Sequence, residues 1–254
     1  MNFLEQIRLR NLPLYAFGWA SFLAALICLL LVLRTDTQVL GINAYLKPMK
    51  FFLSSWIFAW TMGWYLFSLE EPLKVSQYSW MVIIILGFET LYIFIKANQG
   101  ELSHFNISSP FNITMFALMG IAISILTLWT AYMGILFWTK PIPELPEHYI
   151  WAIRLGIIFF VFFAFEGGIM GGRLSHNIGG EMSGSGIPLL NWSTKIGDLR
   201  VAHFIGIHSL QILPILSFYV LKNTRLTWII AFVYFILTLS LILQALNGRP
   251  FIKI

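Results

Sequence analysis

Residues 150–172 read IWAIRLGIIFFVFFAFEGGIMGG. Within this stretch the charged residues are Arg154 and Glu166, separated by eleven apolar or glycine residues. A bilayer hydrocarbon core of about 30 Å requires roughly 20 predominantly apolar residues in a helix, and this run has that length. The inner tract Phe159–Phe165 would suit a buried strand in a soluble protein. The surrounding run is too long for that, and a lone strand cannot satisfy its backbone in lipid.

Six further stretches qualify in the same way. The seven expected spans are Tyr15–Leu33, Pro48–Ser68, Tyr78–Ala97, Ile113–Trp138, Ile150–Gly172, Val201–Leu221 and Thr227–Leu246. The 254 residues are 58% hydrophobic and 11% charged, against about 25% charged in an ordinary soluble domain. That balance excludes a water-soluble globule, a disordered chain and a nucleic-acid-binding tail. The formal net charge of +5 is spread along the chain and forms no basic cluster. Cys28 is the single cysteine, so neither an internal disulfide nor a cysteine metal cluster can form. The expected architecture is all-α: one transmembrane domain over residues 1–254, a seven-helix bundle with an internal polar cavity near one leaflet. Its expected location is a plasma membrane or bacterial inner membrane.

Punctuation supports these spans. Lys47-Pro48 opens the second. Ser109-Pro110 supplies a cap and a first-turn proline for the fourth. Asp198 precedes the sixth, and Asn247-Gly248 follows the seventh. Arg8 and Arg10 precede the first, whose run is too long for the apolar part of a signal peptide, so it reads as an anchor.

Seven spans place loops 34–47, 97–112 and 172–200 and the C-terminal tail on one side, face A. The N-terminus and loops 69–77, 139–149 and 222–226 lie on the other, face B. Four of the five histidines (His104, His176, His203 and His208) belong to the A side, whereas His148 belongs to B. Nine Lys or Arg on the A side against seven on B lean toward a cytoplasmic face A. Loop 172–200 carries Gly-Gly-Glu-Met-Ser-Gly-Ser-Gly, a composition suited to a lid or gate.

Ionisable residues at membrane depth cost about 2.5–3.5 kcal/mol on insertion scales and mark working sites. Glu89, Glu166 and His208 each fall roughly 10–12 Å from the A-side end of their spans at 1.5 Å per residue. His203 shares a helix sector with His208. Glu89, Tyr92 and Lys96 form a second polar stripe. Gly167-x-x-x-Gly171 and Gly168-x-x-x-Gly172 suggest close backbone packing beside Glu166.

Histidines and carboxylates without cysteine suit zinc or iron. The favoured expectation is a metal-dependent membrane enzyme acting on a lipid or other hydrophobic small molecule. His104, His176, His203 and His208 are its candidate metal ligands. Glu89 and Glu166 are its candidate catalytic carboxylates. Arg173, Arg200, Lys47 and Lys50 are placed to hold an anionic part of the substrate or cofactor, and Asn106, Asp198 and Gln211 to support the ligands. Two alternatives stand beside it. A b-type haem protein would use axial imidazoles from the same histidines. A proton-coupled transporter would use Glu and His as a relay; transporters often contain broken helices and inverted repeats, and no repeat is visible here. The expected partners are membrane lipids, with no nucleic acid.

Overall fold

A computed structural model describes residues 2–182 and 186–253 of the chain. The expected lid sequence includes Ser183, Gly184 and Ser185, which lie outside the described residues. Nine α-helices are described: α1 (Phe3–Arg10), α2 (Leu12–Arg34), α3 (Leu46–Leu66), α4 (Pro72–Asn98), α5 (Pro110–Thr139), α6 (Glu147–Arg173), α7 (Arg200–Ile207), α8 (Ser209–Leu216) and α9 (Thr224–Leu246). Two short antiparallel pairs join residues 38–39 to 42–43 and residues 177–178 to 197–198. The chain divides into two compact units, Met1–Leu126 and Thr127–Ile254.

Helices α2, α4, α5, α6 and α9 are each long and apolar enough to cross a membrane. A sixth span arises if α7 and the stretch through Leu221 are counted together. The second expected span, α3, is 21 residues long but is not among them. Its apolar character is diluted by Lys47, Lys50, Ser54, Ser55 and three tryptophans. Those tryptophans face a partner helix rather than supplying aliphatic surface. Trp60 stacks on Tyr15 of α2 with ring centroids 6.0 Å apart and donates its indole N–H to the Tyr15 carbonyl at 3.3 Å. Gly18 of α2 makes room for it: a Cβ there would lie 2.0 Å from the indole nitrogen of Trp60.

Helix ends follow the side chains at hand. Asn2 and Glu5 form a reciprocal capping box on α1, a helix that hydropathy alone does not signal. Asn11 caps α2 by accepting from the Leu14 amide at 3.0 Å. Ser109 Oγ accepts from the Asn112 amide at 3.2 Å, and Pro110 begins α5, as its sequence indicates. Asn223 caps α9, which ends at Asn247 with Gly248 at φ +72. Helices α4 and α6 begin several residues before their expected spans because their first turns are polar.

The sixth expected span departs most from its sequence reading. Instead of one helix over Val201–Leu221, the chain breaks at His208, bends by 45° and finishes in a π-helical turn at Ser217–Leu221. Pro214 contributes by lacking an N–H. Side-chain hydrogen bonds tie the broken segment to its neighbours within the second unit. Tyr234 Oη of α9 donates to the Ile205 carbonyl, and Ser209 Oγ donates to the Gly156 carbonyl of α6 at 3.2 Å.

Helices α7 and α8 lie tightly on α6. A Cβ at Gly156 would be 3.0 Å from the Ser209 carbonyl oxygen, and one at Gly206 would be 2.1 Å from the ring of Phe163. The glycine pattern after Glu166 works differently from its expected role. A Cβ at Gly168, Gly171 or Gly172 would meet nothing within 4 Å, whereas one at Gly167 would meet His203 at 3.0 Å. Close packing of α6 on α7 and α8 therefore runs through Gly156, Gly167 and Gly206. Gly206→Ala should lower stability in detergent by about 1–3 kcal/mol through overpacking, while Gly168→Ala should be neutral or slightly stabilising. Thermal unfolding of the two variants beside the parent checks this, and equal midpoints for both would refute the packing assignment.

Candidate functional site

The sequence-nominated residues divide between the two units. Lys47, Lys50, Glu89, His104 and Asn106 belong to the first; Glu166, Arg173, His176, Asp198, Arg200, His203, His208 and Gln211 belong to the second.

In the first unit, α3 presents Lys47 to the loop that follows α4. Lys47 Nζ donates to His104 Nδ1 at 3.2 Å, and Ser103 Oγ approaches the same nitrogen at 3.2 Å. A lysine ammonium can only donate, so the proton of the neutral imidazole sits on Nε2. The ring is bordered by Phe51, Phe105 and Phe116, with centroids 5.6, 6.2 and 6.2 Å away. Burial, reinforced by the charge of Lys47, holds the imidazole well below its ordinary pKa. Glu89 of α4 is buried, with Oε1 lacking a hydrogen-bond partner, and stands within electrostatic reach of Lys47. Lys50 lies partly buried one turn further along α3.

The rest of the expected stripe is satisfied locally. Lys96 Nζ pairs with Glu101 at 2.7 Å, and Tyr92 Oη reaches Asn112 Oδ1 at 3.5 Å. Asn106 organises its own loop, donating to the Leu102 carbonyl and accepting from Ser108.

In the second unit, α6 and α7 bring Glu166 and His203 together. Glu166 is 6% exposed, and both its carboxylate oxygens lack a hydrogen-bond partner. Its Oε2 stands 3.4 Å from His203 Nδ1. That ring nitrogen donates to the Phe163 carbonyl at 2.8 Å, which leaves Nε2 as a lone-pair donor in the neutral ring. His208, at the break between α7 and α8, repeats the arrangement: its Nδ1 donates to the Phe204 carbonyl at 2.8 Å while the ring lies on Phe204, centroids 4.1 Å apart. Both imidazoles are thus oriented by backbone carbonyls, the arrangement that commonly positions metal-ligating histidines. Among the described residues, however, no group of three or more His, Cys, Asp or Glu side chains is placed to hold a metal ion.

The remaining nominated residues build the base of loop 172–200. The strand pair 177–178 with 197–198 closes it, and Leu199 N–H donates to the His176 carbonyl at 3.0 Å. Asp198 accepts from the Ser193 amide at 2.9 Å, the Arg200 amide at 3.1 Å and Arg200 Nη2 at 2.6 Å. Burial opposes its ionisation, but the hydrogen bond and charge of Arg200, the Ser193 amide and the charge of His176 together hold Asp198 below the usual carboxylate range. Arg200 Nη2 also donates to the Asn191 carbonyl, so its guanidinium is engaged in holding the loop. Arg173 is exposed at the end of α6, where a cation complements the helix dipole.

Hydropathy overlooks a third polar group, formed by the first turns of α6 and α9 and the π-helical turn at Ser217–Leu221. His148 Nδ1 lies 3.0 Å from Ser217 Oγ, which in turn lies 2.9 Å from Thr227 Oγ1. Ser217 and Thr227 are almost fully buried. Pro214 inside the span is the sequence signal for this irregular region, because it forecasts a distorted helix just before Ser217.

The His104 arrangement sets a pH dependence. Because its folded pKa is lowered, the contribution of the neutral ring is fully present above the unfolded value of about 6.5 and is lost as pH falls below it. The wild type should therefore lose stability between about pH 6.5 and 5 more steeply than His104→Gln. Unfolding midpoints across that range measure the difference, and parallel curves would exclude it.

No protein-family model, curated protein or solved structure matches the chain.

Proposed function

We propose that this is a multi-pass integral membrane protein with seven spans, α3 being the seventh, whose second unit handles protons for coupled movement of a solute. The observation that carries this reading is the buried Glu166, both oxygens unpartnered, 3.4 Å from His203 on a helix broken at His208. A carboxylate without donors is costly in apolar surroundings, and a proton on either member of the pair reduces that cost. The pair is therefore a place to hold a proton and hand it on. Discontinuous helices are a recurrent feature of transporter sites, because unwound backbone groups there can meet a substrate. The His148–Ser217–Thr227 cluster supplies polar groups toward the opposite end of the same helices, as a relay through this unit requires.

The experiment is proton flux into vesicles. Full-length protein is reconstituted with an entrapped pH-sensitive dye, and a potassium diffusion potential is imposed. Wild-type protein should acidify or alkalinise the lumen according to the sign of the potential. Glu166→Gln and His203→Ala should each slow this by about tenfold or more, the lower end of what a positioned acid–base group contributes. Flux equal in wild type, both variants and empty vesicles would overturn the reading.

A second reading is favoured by one specific observation, the carbonyl-oriented tautomers of His203 and His208. Under it, the Nε2 atoms of these rings and the Glu166 carboxylate, which do not form a three-ligand group as they stand, would have to draw together around a zinc or iron ion, and the protein would be an enzyme acting on a lipid or other hydrophobic small molecule. A bound divalent metal would supply Lewis acidity and an activated water. Glu166 would neutralise the ion, and the carbonyls of Phe163 and Phe204 would keep the imidazoles aligned. Elemental analysis of the detergent-purified protein should then find near-stoichiometric metal that falls in His203→Ala and Glu166→Gln; background levels in the wild type would eliminate this reading.

A further inference from the structure

Helices α5, α6 and α9 bring a second kind of site to the face B end of the second unit. Trp138 closes α5, Trp151 and Arg154 occupy the second and third turns of α6, and Trp228 lies in the second turn of α9. The indoles form a continuous group: Trp138 and Trp151 have centroids 5.1 Å apart, and Trp151 and Trp228 4.8 Å. The Arg154 guanidinium lies against two of them, 5.1 Å from the ring of Trp138 and 4.9 Å from that of Trp151.

Its hydrogen bonding is asymmetric. Nε donates to the Phe137 carbonyl at 2.8 Å, while Nη1 and Nη2 have no hydrogen-bond partner among the described residues. The guanidinium is therefore held by one nitrogen and two rings, with its two-pronged end uncommitted. Glu147 is the carboxylate that acts on it electrostatically, but it lies beyond ion-pair distance and accepts instead from Trp151 Nε1 at 3.3 Å and Thr224 Oγ1 at 3.4 Å. The flanking loops and the first turn of α9 add Lys140, Lys222 and Arg225 against Glu144.

We infer that Arg154 is the phosphate-binding residue of an anionic phospholipid site, with Trp138, Trp151 and Trp228 packing against the glycerol and upper acyl region. The guanidinium fork matches two phosphate oxygens. Tryptophan belongs at the depth where headgroups meet acyl chains. Arg154 is seven residues into α6, about 10 Å along the axis, within reach of that boundary by its side chain. The net positive loops favour an anionic over a zwitterionic headgroup.

Native mass spectrometry of the full-length protein, released from detergent containing equal phosphatidylglycerol and phosphatidylcholine, reads the site directly. The wild type should retain phosphatidylglycerol in preference, and Arg154→Gln should reduce that preference by about fivefold, the worth of one arginine at an anionic surface. Arg154→Lys keeps the charge but loses the fork and the stack, so it should fall between them; it also tests the site if the glutamine variant fails to fold. Inorganic phosphate at millimolar concentration should not displace the lipid. Equal retention of the two lipids by the wild type, an undiminished preference in both variants, or displacement by free phosphate would overturn the assignment.

Discussion

Lipid offers no hydrogen bonds, so a backbone group released inside a membrane segment has to find its partner within the protein. The second unit is organised around that requirement. Its α7–α8 segment is interrupted at His208 and bent by 45°, and side chains reach main-chain carbonyls around it. Tyr234 answers one of them at Ile205. Ser209 makes the reciprocal move by donating to Gly156 of the helix it lies against. Gly156 and Gly206 permit the close approach those bonds need. The same approach brings His203 beside Glu166. The electrostatic feature of the unit is thus a consequence of how its backbone is satisfied.

The two units solve the problem of buried polarity in different ways. In the first, several buried polar groups find a local partner (Lys96 with Glu101, Lys47 with His104, Asn11 with Ser79), whereas Glu89 Oε1 and Trp56 Nε1 do not. In the second, Asp198 and Arg200 are fully engaged at the loop base, while Glu166 is left with neither oxygen bonded. An unpartnered acid in low dielectric is expensive, and such cost persists in natural proteins chiefly where function uses it.

The membrane character of the chain was legible from apolar run lengths alone, since α2, α4, α5, α6 and α9 each carry their own signal. Ser109-Pro110 and Asn247-Gly248 marked helix ends correctly because capping is a local interaction. Three features were not legible. A second span was expected over Pro48–Ser68, but α3 is not among the helices apolar enough to cross a membrane, because two lysines, two serines and three tryptophans dilute its run. The break at His208 is braced by Tyr234, twenty-six residues further on, through the Ile205 carbonyl, and no local pattern connects the two. Of the glycines after Glu166 that looked like a packing motif, Gly167 alone meets a neighbour; which face of α6 is packed is set by tertiary contacts, and those also select Gly156. Glu166 was nominated from depth and His203 from the helix sector it shares with His208; their adjacency required coordinates.

Gly167 has a consequence of its own. A single added methyl there would press on the imidazole edge at 3.0 Å, while leaving both titratable side chains chemically intact. The separation of acid and base is therefore gauged by a residue that carries no functional group. Substituting that one position offers a way to change the spacing of Glu166 and His203, graded by side-chain size, without altering the chemistry of either participant.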